Sequence, residues 1–361
     1  MRIRAQRDDL ADVLTRANRA VGARTALPVL QGLLCEVSGT TLRVTGTDLD
    51  VTVRTTAEVE VIEEGRAVIP GRLLSEAVRK MPAGAVTIGV SDTDIEIQGN
   101  GPRFTLRPLT VEDFPVQDDL ITDGVEVDGE ELAEAIAQVT IAASGDGARP
   151  ILTGVLFESS DEGLRMVATD SYRLAKRDLK GVGLEGTGLV PARGLRELPR
   201  AIGAAKVTAQ LRDREAVFSS DKGMLRLRLI DGNFPKYQSL LPDSYPNQVI
   251  IEKDILLDAL GRVTLVAEDH IPVRLNLMEG GVEVSVSRQD VGGETEHLAG
   301  VFTGVEEQVS IAFNPRYLQD GVTAIPGESV RIRVIDAFKP SVIDSGMEDD
   351  DFLYLLMPVR V

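Results

Sequence analysis

Residues 8–14 read DDLADVL, and the same pattern returns as EELAEAI at 130–136 and as DILLDAL at 254–260. Leu10, Leu132 and Leu256 hold equivalent places, 122 and then 124 residues apart. Other landmarks keep this spacing. AVIPGRLL at 67–74 returns as LVPARGL at 189–195 and more loosely as IAFNPRYL at 311–318, so Pro70, Pro191 and Phe313 lie 121 and 122 residues apart. LRVTGTDLDVTVR at 42–54 parallels LRMVATDSYRLAKR at 164–177, with Asp48 and Asp170 again 122 apart, and DFP at 113–115 parallels NFP at 233–235. Agreement at separate landmarks marks an internal repeat whose period is too long for a solenoid. Each unit, about 120 residues, has the size of an ordinary domain. The predicted domains are 1–122, 123–246 and 247–361.

Within the first unit, Leu10, Val13, Leu14, Ala17 and Val21 recur at helical spacing, with Asp12, Arg16 and Arg19 on the other side. GLLCEV, TLRVTGTD and LDVTVRTTAEVEV then alternate as antiparallel strands broken by Gly and Asp turns. A second helix, GRLLSEAVRKMP, stops at Pro82, and the strands AVTIGV, DIEIQG and RFTLRPL follow. Helix, strands, helix, strands is an α+β unit, with two helices packed on antiparallel sheets.

The composition excludes several classes. The single cysteine, Cys35, allows no internal disulfide and fits a reducing cytosol. MRIRAQRDDL lacks the apolar stretch of a signal peptide, and no apolar run reaches the length of a bilayer span, so a cytoplasmic protein without a membrane association is expected. His270 and His297, the only histidines, have no neighbours at metal-ligand spacing. No P-loop, dinucleotide fingerprint or nucleophile elbow is present, and GNGPRF at 99–104 reads as a hairpin turn. The TD pairs at Asp48 and Asp170 read as turn residues rather than catalytic carboxylates, because they recur in different units. No catalytic residue, metal ligand or cofactor is expected.

The formal net charge of −18 argues against a nucleic-acid partner only if charge is evenly spread. It is not. The helical segments carry Arg16, Arg19, Arg72, Arg79, Lys80, Arg193, Arg196 and Arg200, with Arg24 and Arg149 in adjoining loops, while Arg262 and Arg316 make the third unit poorer. The acidic excess lies in EVEVIEEG, SDTDIEIQ and GMEDDD. Taken singly, such helix faces are solvated surface; repeated at matching places, they form a basic lining on an acidic protein. The tail raises a second question. YLLMPVRV, residues 354–361, is almost wholly apolar where chain ends are usually polar and frayed. Either it is a buried last strand or it lines a surface that other molecules use.

Three repeated α+β units, GTDLD in the first, VATDSYRLA in the second, DGNFPKY after it and the terminal YLLMPVRV together resemble the bacterial sliding clamp family, the β subunit of DNA polymerase III. The resemblance covers the whole chain. It implies half of a six-domain ring, a head-to-tail homodimer with helices around the hole and sheets outside, which encircles double-stranded DNA without sequence preference. It implies no catalytic activity and no cofactor. Its implied partners are a second copy of the chain, the polymerase III α subunit, the clamp loader, and other polymerases and repair proteins carrying clamp-binding motifs. The DNA-facing residues are then Arg24, Arg72, Arg79, Lys80, Arg149, Arg193 and Arg196.

The resemblance also implies a hydrophobic pocket for short apolar peptides, with the tail as one wall. Residue by residue it carries over to Leu152, Thr169, Tyr172, Arg173, Leu174, Pro235, Leu240, Leu355, Met357, Pro358 and Val359, while alternate residues of FLYLL are expected to face the core. Ser171-Tyr172 departs from the Gly-His of many clamps, and Gln238 and Ser239 stand where others carry arginine. For the dimer seam it implies that RFTLRPL is an edge strand, with Phe104 and Leu106 packing against Leu265 and Val266 of the partner. A scaffold that binds peptides without encircling DNA, and an enzyme with an unrecognised site, are the rival readings. The basic helix faces disfavour the first and the missing catalytic clusters the second.

Overall fold

The leucine-rich segments of the repeat are helices. In the computed structural model, which describes residues 1–22, 27–115, 123–242, 244–267, 271–347 and 350–360, seven helices are seen among the described residues. They are α1 (Arg7–Ala17), α2 (Gly71–Arg79), α3 (Gly129–Thr140), α4 (Ala192–Leu195), α5 (Leu198–Ile202), α6 (Lys253–Ala267) and α7 (Pro315–Ala324). Helix α1 buries Leu10, Val13, Leu14 and Ala17, with Asp8 and Asp9 in its first turn and Arg16 in its last, as the helix dipole favours. In α7, Pro315 starts the helix and the Asn314 side chain caps it by accepting the Tyr317 amide at 3.0 Å. The segment of the central repeat in which Arg193, Arg196 and Arg200 recur at helical spacing is split into α4 and α5. Pro199 is tolerated at the start of a helix but not inside one, so Arg193, Arg196 and Arg200 do not share one helical face.

The chain folds into two compact units: residues 1–133 with 184–229, and residues 134–183 with 230–361. The first holds a five-stranded antiparallel sheet in the order Glu60–Glu63, Arg2–Gln6, Ala85–Val90, Ile95–Gln98, Arg103–Leu106. It also holds an eight-stranded sheet: Val125–Asp128, Lys206–Leu211, Glu215–Ser220, Gly223–Arg228, Val51–Glu58, Thr41–Thr47, Gly32–Ser38, Gly65–Pro70. Helices α1 and α2 close one core with both sheets, in which Leu10, Leu14, Leu33, Ile69, Leu74 and Ile88 are fully buried. GNGPRF is the expected hairpin turn between paired strands, with Gly101 at φ +107°.

In the second unit, successive hydrogen-bonded neighbours are Gly154–Ser160, Gly163–Thr169, Arg173–Lys180, Phe352–Leu356, Ser341–Asp344, Ser329–Val334, Asn247–Glu252, Gly292–Thr303, Gly281–Arg288, Val273–Met278 and Gln308–Phe313. Each unit thus contains a sheet that runs across a repeat boundary. Leu227 lies opposite Val51 in the first unit, and Leu356 lies opposite Arg173 in the second. Continuous hydrogen bonding across those boundaries is why the compact units cut through the central repeat.

The last strand departs from simple alternation. Phe352, Tyr354, Leu355 and Leu356 are all buried, and only Leu353 is partly open. The strand has neighbours on both edges, and Tyr354 sits against α7 so closely that a Cβ on Gly321 would come within 2.3 Å of its ring. A strand covered on both faces loses its period of two.

Candidate functional site

The second-unit hairpin turn at 169–173 is the centre of the site. Thr169 Oγ1 donates to the Arg173 carbonyl at 2.7 Å, and Asp170 Oδ1 accepts the amides of Tyr172 and Arg173 at 2.9 and 3.0 Å. Ser171 takes φ +82°. This is the turn role expected for Asp170, with both side chains saturating the backbone. It leaves Tyr172 58% exposed at the tip.

Arg173 braces the turn. Its guanidinium ion-pairs with Asp170 at 3.0 Å and Asp320 of α7 at 2.6 Å, and its Cζ lies 4.2 Å from the centre of the Tyr317 ring. Burial opposes its charge, but the Tyr354 hydroxyl, Asp320 and Asp170 outweigh burial and hold it protonated more firmly than a free arginine. Tyr354 donates to the Tyr317 carbonyl at 2.8 Å, and burial pushes its own hydroxyl pKa up. Tyr172 stacks against Tyr317 with ring centres 6.3 Å apart.

The tail is fastened at two points. The Met357 amide donates to the Tyr172 carbonyl at 2.9 Å, and the Val359 amide to the Ala312 carbonyl at 2.8 Å. Met357-Pro358-Val359 therefore spans from the turn to strand Gln308–Phe313 as an open apolar segment, with Met357 and Pro358 half-buried and Val359 exposed. Leu174 lies opposite Leu355 on one neighbouring strand and Thr169 on the other, and all three are buried. Leu152 adjoins the turn through Arg149, whose Nη1 reaches the Asp170 carbonyl at 3.4 Å and whose own carbonyl accepts the Leu152 amide at 3.0 Å.

Pro235 and Leu240, both exposed, flank Tyr237 on a loop tied to strand Gly154–Ser160. Tyr237 is buried and donates to Glu158, and burial, then Glu158, pushes its pKa up to about 12. On the neighbouring strands Arg165 and Lys176 each bind Asp178 at 2.6 Å. Burial would raise the Asp178 carboxyl, but the bonds from Arg165 and Lys176 prevail and lower it. Sequence reasoning missed Tyr317, Asp320, Tyr354, Glu158 and the role of Tyr237. Asp320 is 147 residues from Arg173, a separation that carries no spacing signal.

The basic residues are less free than expected. Arg16, in the last turn of α1, binds Asp12 of the same helix at 2.8 Å and the Lys222 carbonyl at 2.7 Å, and Arg19, in the turn that follows, binds Glu197 at 3.1 Å, so both arginines tie this end of α1 to other elements of its unit. Arg72 pairs with Glu76 at 3.0 Å, Arg149 with Asp146 at 3.1 Å, and Arg193 with Asp48. Arg79, Lys80 and Arg196 are exposed, and Arg24 and His270 lie outside the described residues. The strand carrying Phe104 and Leu106 is the edge of the five-stranded sheet, with Phe104 39% exposed and Leu106 partly packed into its own core. On α6, Leu265 is 83% exposed and Val266 half-buried. Cys35 is buried, which raises its thiol to about 12, as befits a core residue. Among the described residues no cluster of acid, His or Cys side chains is placed to hold a metal ion, and no helix is long and apolar enough to cross a membrane.

Three family models match the chain in succession: the DNA polymerase III beta subunit N-terminal domain over residues 1–118, its central domain over 126–236, and its C-terminal domain over 238–360. The chain belongs to the DNA polymerase III beta subunit family, the beta sliding clamps. It is 32% identical to the beta sliding clamp of Streptomyces coelicolor over all of both chains. Its fold matches the crystal structure of the DNA polymerase sliding clamp from Bacillus subtilis (26% identity, TM-score 0.94, 100% of this chain and 99% of that one). It matches equally the DNA polymerase III subunit beta from Pseudomonas aeruginosa (28% identity, TM-score 0.93, all of both chains). The expected α+β architecture of three clamp domains is therefore the one this clamp has.

Proposed function

We propose that two copies of this clamp close head to tail into a six-domain ring around duplex DNA. The ring acts in the cytoplasm, has no chemistry of its own, confers processivity on polymerase III, and recruits the α subunit, the clamp loader and other polymerases and repair proteins through the groove at 169–173 and 357–359. The domain boundaries are placed at 1–122, 123–246 and 247–361, following the repeat. Contacts with DNA fall to Arg24, Arg72, Arg79, Lys80, Arg149, Arg193 and Arg196. A topological hold needs only weak, salt-sensitive phosphate contacts, so a clamp of net charge −18 remains compatible with DNA.

The observation that carries the ring is a pair of open strand edges. Strand Arg103–Leu106 ends its sheet with Phe104 exposed, and among the described residues Gly292–Ala299 is hydrogen-bonded to a neighbour on one side only. Open apolar edges invite aggregation unless another strand covers them. Pairing between copies would cover both, with Leu265 and Val266 against Phe104 and Leu106. Phe104→Asp with Leu106→Asp buries charge at that seam. The double variant should sediment as a monomer and fail to persist on circular DNA, while the wild type stays on a circle and runs off once the DNA is cut. Dimeric sedimentation of the variant, or equal release from circular and linear DNA by the wild type, would remove this reading.

A further inference from the structure

The bond that ends the tail also assembles a second, differently charged surface. Val359 donates to the Ala312 carbonyl, and Ala312 lies directly opposite Arg274 in the register of strands Gln308–Phe313 and Val273–Met278. Arg360, the next residue, is thereby brought to Arg274. The two arginines share a recess of about 190 Å3 with Ile311, Phe338 and Val359.

Two properties of this recess point to its occupant. Among the described residues its lining contains no side-chain carboxylate. Asp336, the acid nearest to Phe338 in sequence, has its Oδ1 taken by the amides of Phe338 and Lys339 at 2.7 and 2.9 Å. Among the described residues neither Arg274 nor Arg360 has a hydrogen-bond or ion-pair partner, in a chain whose acids outnumber its Lys and Arg 57 to 39. The second property is apolar exposure: Phe338 is 67% exposed beside the arginines. Positive charge without a counter-charge among the described residues, next to an open aromatic ring and continuous with the partner groove through Val359, matches one chemistry.

We infer that this recess receives an acidic residue flanking the apolar motif of the partner peptide, with Arg274 and Arg360 on its carboxylate and Phe338 against its apolar neighbour. The assignment rests on the groove reading above. It makes this recess a specificity subsite: partners carrying a flanking acid bind better, and those carrying a flanking lysine worse. Arginine suits the task because its planar fork matches a carboxylate. Both arginines are exposed, so the gain is that of surface ion pairs, about three- to fivefold in affinity and shrinking as salt rises.

The test uses the full-length chain and three fluorescent peptides with one apolar core, carrying glutamate on the N-terminal flank, glutamate on the C-terminal flank, or glutamine on both. One glutamate peptide should bind about three- to fivefold tighter than the glutamine peptide at low salt. The advantage should vanish in Arg274→Gln, with affinity for the glutamine peptide unchanged. It should invert in Arg274→Glu, which should bind that glutamate peptide more weakly than the glutamine peptide. Equal affinity of the wild type for all three peptides, or a glutamate advantage that survives in both variants, would overturn the subsite while leaving the groove intact. Failure of the wild type to bind any of the three would overturn the groove reading and the subsite with it.

Discussion

The hairpin turns at 47–51 and 169–173 share a backbone and differ in what they offer. In both, a threonine hydroxyl closes the turn, at 3.1 Å onto Val51 O and at 2.7 Å onto Arg173 O. In both, an aspartate accepts the next two amides but one, and the residue between takes a left-handed φ, Leu49 at +79° and Ser171 at +82°. Even the neighbouring chain docks alike: the Arg228 amide donates to the Asp50 carbonyl at 2.8 Å, as the Met357 amide does to Tyr172 at 2.9 Å. The side chains then diverge. Asp50 and Arg228 make the first turn a charged surface, whereas Tyr172 and Met357 make the second an apolar one. Asp48 pairs with the exposed Arg193, Asp170 with the largely covered Arg173. A repeated fold supplies the geometry twice, and only side-chain chemistry separates the copy proposed as a docking site from its twin.

That contrast gives a ranked set of expectations. Arg173→Ala strips Asp170 and Asp320 of a buried partner and should cost about 3–5 kcal/mol in chemical denaturation. Next, Tyr237→Phe leaves the Glu158 carboxylate without its donor and should cost about 1–3 kcal/mol, with Pro235 and Leu240 losing their anchor; an unchanged melting curve would show that the loop is held otherwise.

A smaller effect depends on pH. In the strand pairing, Arg43 faces Thr56 in the first repeat but Arg165 faces Asp178 in the second. The folded Asp178 carboxyl lies below its unfolded value, so its stabilisation is present above about pH 4 and is lost as pH falls through the folded value. Denaturation of wild type and Asp178→Asn between pH 7 and pH 3 should show the gap closing on the acid side; a gap that widens there would reverse the sign. Smallest of all, Arg193→Ala removes an exposed pair and should cost less than about 1 kcal/mol. Equal losses in Arg193→Ala and Arg173→Ala would erase the contrast between the turns.

The repeat, the α+β order, the strand at 103–106 and the turn role of the TD aspartates were legible in the sequence, because each depends on local spacing, whereas the edge position of that strand came only from the family resemblance. The break between α4 and α5 follows from Pro199, which the helical spacing of Arg193, Arg196 and Arg200 does not reveal. What was not legible depends on long-range pairing. Nothing local to VATDSYRLA announces that Arg173 meets Asp320, or that Arg16 and Arg19 are spent on the Lys222 carbonyl and Glu197 rather than left facing outward. The covered faces of FLYLL likewise follow from α7 and from strands far away in sequence, not from the pentapeptide.

The central claim is that partners dock on the tail at the second turn and not at its twin. A labelled apolar clamp-binding peptide titrated against wild type, Met357→Ala, a chain lacking residues 357–361, and Arg228→Ala tests it directly. At roughly 25 cal/mol per Å2, removing on the order of 100 Å2 of apolar contact costs about 2.5 kcal/mol, more than tenfold in affinity. The account predicts that loss for the truncated chain, a smaller loss for Met357→Ala with little change in melting temperature, and wild-type affinity for Arg228→Ala. Equal affinities across all four proteins would contradict it, leaving the tail as only the last strand of a core.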